Sequence, residues 1–249
     1  MDLTGAAIPP GRVTVCEDGV GTSTGMQRPG GGEADKVSEA RIRERNESRI
    51  LGSAVQLFAA KGYDGTRLSE IADHCGLPRA NLYYYFSSKD RIYTALIEQV
   101  INGWDRAFEH IRPDREPRVA IVAYVTAKLE YSRAYPVESR FFASEILRGA
   151  RFLTRRHRRH MREVTDRKAE VVRDWVKQGR LSPVDPYHFF IVLWSATQFY
   201  ADYGHLAAGI IHRKQLTRRD FAAAAETISG LVLDGCSRDP VPDPQIRLP

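Results

Sequence analysis

The chain has 249 residues with 43% apolar side chains, enough for one small and one larger domain with buried cores. Its formal net charge of +6 favours an anionic partner, although basic balance alone does not select nucleic acid. Cys16, Cys75 and Cys236 are too scattered for a disulfide framework or zinc spacing and fit a reducing, cytoplasmic setting.

The N-terminus lacks a basic stretch followed by an apolar run, so no secretory signal is expected. Residues 1–37, rich in Gly, Thr and Pro without periodicity, read as a disordered arm. Within it, GVGTSTG has the wrong glycine spacing for a dinucleotide loop, and no helical pattern follows. Arg41, Arg45 and Arg49 then sit four apart on one helical face, turned either to phosphates or to solvent. Ile50, Ala54, Leu57 and Phe58 recur at helical spacing, and Lys61 with Gly62 marks the stop.

Residues 65–90, GTRLSEIADHCGLPRANLYYYFSSKD, fit two short helices joined by a glycine turn. Ile71, Ala72, Leu77 and Leu82 provide the inner positions, and Gly76 can take the positive φ that ends the first helix. Arg79, Asn81, Tyr83 and Tyr84 remain outside, with donors and acceptors suited to phosphates and base edges. A helix of about seven residues is roughly 10 Å long and suits insertion into one major groove. Ser87 and Ser88 ahead of Asp90 can cap a further helix.

AVQLFAAKGYDGTRLSEIADHCGLPRANLYYYFSSKDRIYTAL, residues 54–96, resembles the DNA-binding domain of TetR-family transcriptional repressors. FAAKGYDGT, GLP, LYYYF and SKD, in that order, carry the resemblance. Pro78 departs from the Ser or Thr common at the start of the recognition helix, but proline is tolerated in a first helical turn. The resemblance implies phosphate contacts from Thr66, Arg67, Ser69, Tyr83, Tyr84 and Lys89, and base contacts from Arg79, Ala80 and Asn81. Tyr85 and Phe86 fit the core better than the DNA face.

From Ile92 onward the pattern is helical, over 90–111, 117–134, 136–149, 153–178, 185–208 and 217–235, with prolines at the boundaries. The expected fold is all-α: a three-helix helix-turn-helix domain over 38–89, a bundle for ligand binding and dimerisation over 90–236, and a flexible tail over 237–249. The longest strongly apolar run, Phe189 to Trp194, is too short to span a bilayer, so no membrane partner is expected. The last two long helices carry apolar residues on more than one face, Phe189, Phe190, Leu193 and Ala196 in one and Phe221, Ala225, Ile228 and Val232 in the other. That surplus predicts a twofold homodimer whose two readers meet a palindromic operator in double-stranded DNA.

KLEYSRAYPVESRFFASEILRGARFL and WVKQGRLSPVDPYHFFIVLWSATQFYADY resemble the regulatory domain of the RutR-like, pyrimidine-responsive branch of that family. The resemblance implies a small-molecule effector such as uracil, held by Trp104, Trp194 and Gln198. A tryptophan face can stack on a flat ring, and a glutamine amide offers the donor and acceptor that a uracil edge requires. GARFL and the basic run from Arg155 to His160 depart from that branch. His157 and His160 lie three apart on one helix face, but no Cys or carboxylate nearby completes a site, so no metal is expected, and the arginines around them read as a solvated face. No Glu-x-x-His repeat, GxSxG or HExxH motif is present, so neither catalytic residues nor a cofactor is expected. A ligand-responsive regulator, a repressor by the family's default, is the function the resemblance implies.

Overall fold

A computed structural model describes residues 32–235, which form ten α-helices and, among the described residues, no strand. The expected all-α class is what the chain adopts. Cys16, Cys236, the tail over 237–249 and most of the N-terminal arm lie outside the described residues. The chain divides into two compact units, the first ending at Gln99 and the second beginning at Val100.

The first unit contains α1 (Gly32–Lys61), α2 (Leu68–Cys75), α3 (Arg79–Tyr85) and the start of α4 (Lys89–Phe108). Helix α1 starts ahead of the expected boundary at residue 37. It stops where Gly62 turns to φ 74° and its N–H reaches the Phe58 carbonyl at 2.9 Å. Ile50, Ala54 and Phe58 of α1 are buried, as are Ile71 and Ala72 of α2, Leu82 of α3, and Ile92 and Leu96 of α4.

Two local devices fix the short helices. At the start of α2, the Glu70 carboxylate accepts the Arg67 backbone N–H at 2.8 Å and the Lys61 ammonium at 2.7 Å. Those two bonds hold its carboxyl below the usual carboxylate range. At the end of α2, Gly76 adopts φ 64° and ψ 36°. Its N–H reaches the Asp73 carbonyl at 3.2 Å while the Leu77 N–H reaches the Ala72 carbonyl at 3.0 Å, so the last carbonyls of α2 are satisfied as the chain reverses.

The second unit holds the rest of α4 with α5 (Pro117–Ala134), α6 (Pro136–Leu147), α7 (Arg155–Lys177), α8 (Pro186–Asp202), α9 (Gly204–Ile210) and α10 (Arg218–Gly235). Proline occupies the first turn of α5, α6 and α8, where its missing N–H costs nothing. Asp185 caps α8 by accepting from the Tyr187 and His188 amides, both at 2.9 Å. Helix α5 packs against α6, α8 and α10, around a core that includes Tyr124, Trp175, Phe190 and Leu193.

Two expectations are corrected here. The segment 185–208 is not one helix: Tyr203, at φ −117° and ψ 33°, ends α8, and Gly204 begins α9. The apolar residues assigned to a surplus face are also spent internally. Phe189, Phe190, Leu193, Phe221, Ala225 and Ile228 are buried core, with Ala196 and Val232 packed against it. The apolar side chains left outside are others, including Ile191, Val192 and Phe199 of α8, Leu206 and Ile210 of α9, and Leu231 of α10. No helix among the described residues is long and apolar enough to cross a membrane.

The left-handed turn at Gly76 has a direct consequence. A Cβ there meets nothing closer than the Arg49 guanidinium at 3.5 Å, so Gly76→Ala is penalised by backbone conformation and not by a clash. Denaturant unfolding is expected to show a loss of about 1–2 kcal/mol for this substitution.

Candidate functional site

The seven residues of α3 are divided sharply by burial. Leu82 is fully buried, whereas Arg79, Ala80 and Asn81 are exposed, Tyr83 is 46% exposed and Tyr84 is 70% exposed. One helix face is thus anchored and the other bears a guanidinium, an amide and two phenols. Pro78 takes the N-cap position, and its carbonyl accepts the Asn81 N–H at 2.9 Å without any side-chain cap. Arg67 is exposed and Ser69 half-buried near the start of α2. These groups together present hydrogen-bond donors and aromatic edges, the chemistry expected at a phosphate-lined groove.

Three basic or polar residues serve the scaffold. Thr66, expected at the phosphates, is buried here and its hydroxyl donates to the Gly62 carbonyl at 2.8 Å. Lys89 is likewise turned inward: its ammonium donates to the carbonyls of Tyr63 at 2.9 Å and Thr66 at 3.0 Å and lies 4.0 Å from the Tyr63 ring centre. Arg49, expected on a face open to phosphates or solvent, donates to the Cys75 carbonyl at 2.6 Å and ties α1 to the end of α2.

Sequence reasoning missed two further links from α1 to α3. Asn46 donates to the Tyr85 hydroxyl at 2.7 Å, and the Arg43 guanidinium lies 5.9 Å from the Tyr84 ring centre. No local motif marks either pairing, because partners some forty positions apart meet only when the helices pack. Tyr85 and Phe86 are half-buried and lie outside the fully buried core.

In the second unit two of the three expected effector residues, Trp104 and Trp194, meet side chains of α5. Trp194 donates its indole N–H to the Tyr124 hydroxyl at 2.7 Å. One turn further along α5, Lys128 places its ammonium 4.2 Å from the centre of the Trp104 ring. Trp104 also meets Phe142 of α6 edge-on, with centroids 4.6 Å apart. Gln198 donates its amide to Asp202 at 2.9 Å, so the donors of Trp194 and Gln198 are both engaged within the protein.

Lys128 was overlooked in the sequence. It is buried, and burial pushes its ammonium down to about 7, opposed by the charge of Asp202. Burial also raises the Asp202 carboxyl, against the Gln198 hydrogen bond and the charges of Arg140 and Lys128. Burial pushes the Tyr124 phenol well up, so it stays neutral and receives the indole N–H. The legible signal for Lys128 was a lone charge in step with Ile121, Tyr124 and Val125, all buried.

The two histidines of the basic run have separate structural roles. His157 is buried and takes part in the cap of α7, its N–H donating to the Thr154 hydroxyl at 3.2 Å. His160 pairs with Asp105 at 2.5 Å. Arg155, Arg156, Arg158 and Arg159 are all exposed, and Arg158 donates to the carbonyls of Ala150 and Leu153.

Comparison with known proteins places this geometry in context. Residues 50–96 match the family model described as bacterial regulatory proteins, tetR family, and residues 97–239 match that of the YcdC-like protein, C-terminal region. The chain is similar to the HTH-type transcriptional regulator RutR of Escherichia coli strain K12, with 34% identity over 186 residues, 75% of this chain and 88% of that protein. Its fold resembles that of the TetR-family regulator PfmR from Thermus thermophilus, with 24% identity and a TM-score of 0.57 over 77% of this chain and 97% of the other. It also resembles AibR, solved with isovaleryl coenzyme A and operator DNA, with 19% identity and a TM-score of 0.56 over 76% of this chain and 98% of AibR.

The inward geometry of Lys89 separates it from an ordinary surface cation. Lys89→Met removes two charge-assisted bonds to turn carbonyls, so denaturant unfolding is expected to register a loss of about 1–3 kcal/mol. An unchanged unfolding midpoint and slope would show that the ammonium contributes nothing to the turn.

Proposed function

The chain belongs to the tetR family of bacterial regulatory proteins, and on that premise we propose that it is a cytoplasmic homodimeric repressor released from a palindromic operator by a flat, pyrimidine-like effector. It is a DNA-binding transcriptional regulator, as its relatives are, and not an enzyme.

The observation that carries the proposal is the two-faced α3, with Leu82 locked inside and Arg79, Ala80 and Asn81 outside. Arg79 and Asn81 suit base edges, since a guanidinium pairs with guanine and an amide with adenine. Ala80 suits the methyl group of thymine. Arg67, Ser69, Tyr83 and Tyr84 suit the flanking phosphates. Lys89 and Thr66 would then position the backbone around them instead of carrying the charge contacts.

For the dimer, the support is the exposed apolar set on α8, α9 and α10, in which Ile191 and Phe199 lie on one side of α8 and Leu231 is 72% exposed. A self-complementary patch suits a twofold axis, and a twofold protein matches a twofold DNA site. The effector reading draws on the resemblance to the pyrimidine-responsive branch and on the aromatic and amide groups of Trp104, Trp194 and Gln198. An effector that takes the protein from 1:99 to 99:1 in favour of the released state must prefer it by about 5.5 kcal/mol.

Operator titrations at several salt concentrations test the DNA reading. Neutralising about eight phosphates per dimer gives a log-log slope near −7. Asn81→Ala is expected to relax choice at one operator position by about 1–3 kcal/mol, while Arg67→Ala weakens all sequences alike. A flat salt dependence, or identical behaviour of the two variants, counts against this assignment.

The dimer is tested separately by sedimentation. Leu231→Glu is expected to yield monomers at concentrations where the parent is dimeric and to weaken operator binding at least tenfold. A dimeric variant with parental affinity would move the interface elsewhere.

A further inference from the structure

Two polar side chains in the interior of the second unit have no hydrogen-bond partner among the described residues, one on α5 and one on α6. Lys128, on α5, is only 4% exposed, and its ammonium makes no hydrogen bond or ion pair with any described residue. Ser139, on α6, is fully buried, and its hydroxyl oxygen is also without a partner. Ser139 stands three residues before Phe142, on the same helix face, and Phe142 meets the Trp104 ring over which Lys128 sits.

We propose that Lys128 and Ser139, with the ring of Trp104, form the end of the effector site that reads an anionic oxygen, so that the effector is a flat ring bearing a carboxylate. This rests on the reading that the core around Trp104 takes the effector, and it adds a charge requirement to that reading.

The argument starts from what an unpaired buried amine costs. A buried charge is retained only when something compensates it, and a buried hydroxyl normally finds an acceptor. Asp202 acts on Lys128 only through its field, and it is shared with the Gln198 amide and the charge of Arg140. The neighbouring buried acid is different: Glu145 accepts the Phe152 N–H at 2.6 Å and is accounted for by the loop after α6. Trp175 also has an unpartnered N–H, but its surroundings are apolar core.

A carboxylate answers both unpaired groups. It accepts from the ammonium and from the hydroxyl, and it supplies the negative charge that burial has left missing. A neutral ring carbonyl accepts a hydrogen bond but leaves the charge alone. With burial holding the ammonium near 7, an arriving anion also favours the protonated form of Lys128. Trp104 offers the face on which the ring of such a ligand lies.

The test uses the full chain and three matched pairs: orotate with uracil, nicotinate with nicotinamide, and benzoate with benzamide. Calorimetry is expected to show at least one carboxylate binding tenfold or more tightly than its neutral twin. Lys128→Met should abolish that preference, and Ser139→Ala should reduce it several-fold. Lys128→Met removes a buried charge, so it is expected to melt no lower than the parent at pH 6, which separates lost binding from lost fold. Ser139→Ala provides the second reading if the first variant melts early. The inference is overturned if no carboxylate outbinds its twin, or if the preference survives in both variants. Should uracil bind while no carboxylate is preferred, the pyrimidine reading stands and this one falls. Should nicotinate or benzoate bind through Lys128 while both pyrimidines are inert, this inference stands and the pyrimidine reading falls.

Discussion

Burial of Leu82 determines what the smallest functional element of this protein can present. A seven-residue helix has almost no stability of its own, because helix nucleation fixes several residues for a single hydrogen bond. Helix α3 therefore depends on packing against α1 and α2, and Leu82 is its one fully buried side chain. Once that residue is inside, the helical period places Arg79, Ala80, Asn81, Tyr83 and Tyr84 around the remaining surface. The polar outer chemistry of α3 is a geometric consequence of one apolar anchor.

The same economy explains why a basic chain leaves fewer cations for DNA than its composition suggests. Lys61 is held by Glu70, Arg49 by the Cys75 carbonyl, and Lys89 by two turn carbonyls. Each closes a joint between helices, or between a turn and a helix, where unsatisfied carbonyls or carboxylates would otherwise remain. Side chains at such joints are oriented by the frame, although their charges still contribute to the surface field. The net charge of +6 thus does not say which cations are free to reach toward phosphates.

Much of the fold was legible because its signals are local. Helical periodicity, prolines in first turns and the glycine at 76 each act within a few residues, and the structure places helices where they point. What could not be read was allocation. Periodicity marks Phe189, Leu193 and Ile228 as apolar but does not say whether another helix of the same chain or a second chain covers them. The inward turn of Thr66 and Lys89 was hidden for a related reason: both carry groups that suit phosphates, and only the folded turn reveals that carbonyls reach them first. The break at Tyr203 was obscured because 185–208 is apolar on either side of it.

Lys128 illustrates the opposite case, in which departure from a pattern is itself informative. Along α5 the buried positions 121, 124, 125 and 129 are filled by Ile, Tyr, Val and Leu, and a lysine interrupts them at 128. Tyr124, one turn earlier, is also polar, but it receives the Trp194 N–H and its phenol stays neutral, so its burial is compensated within the protein. Lys128 has an aromatic face and a distant carboxylate, and neither supplies the acceptor that an ammonium requires. A methionine of similar length would fill the same space without the desolvation cost. The local rule is broken at a position whose ammonium lies over the Trp104 ring, and such breaks are where function departs from stability. Packing alone therefore does not account for a lysine at this position.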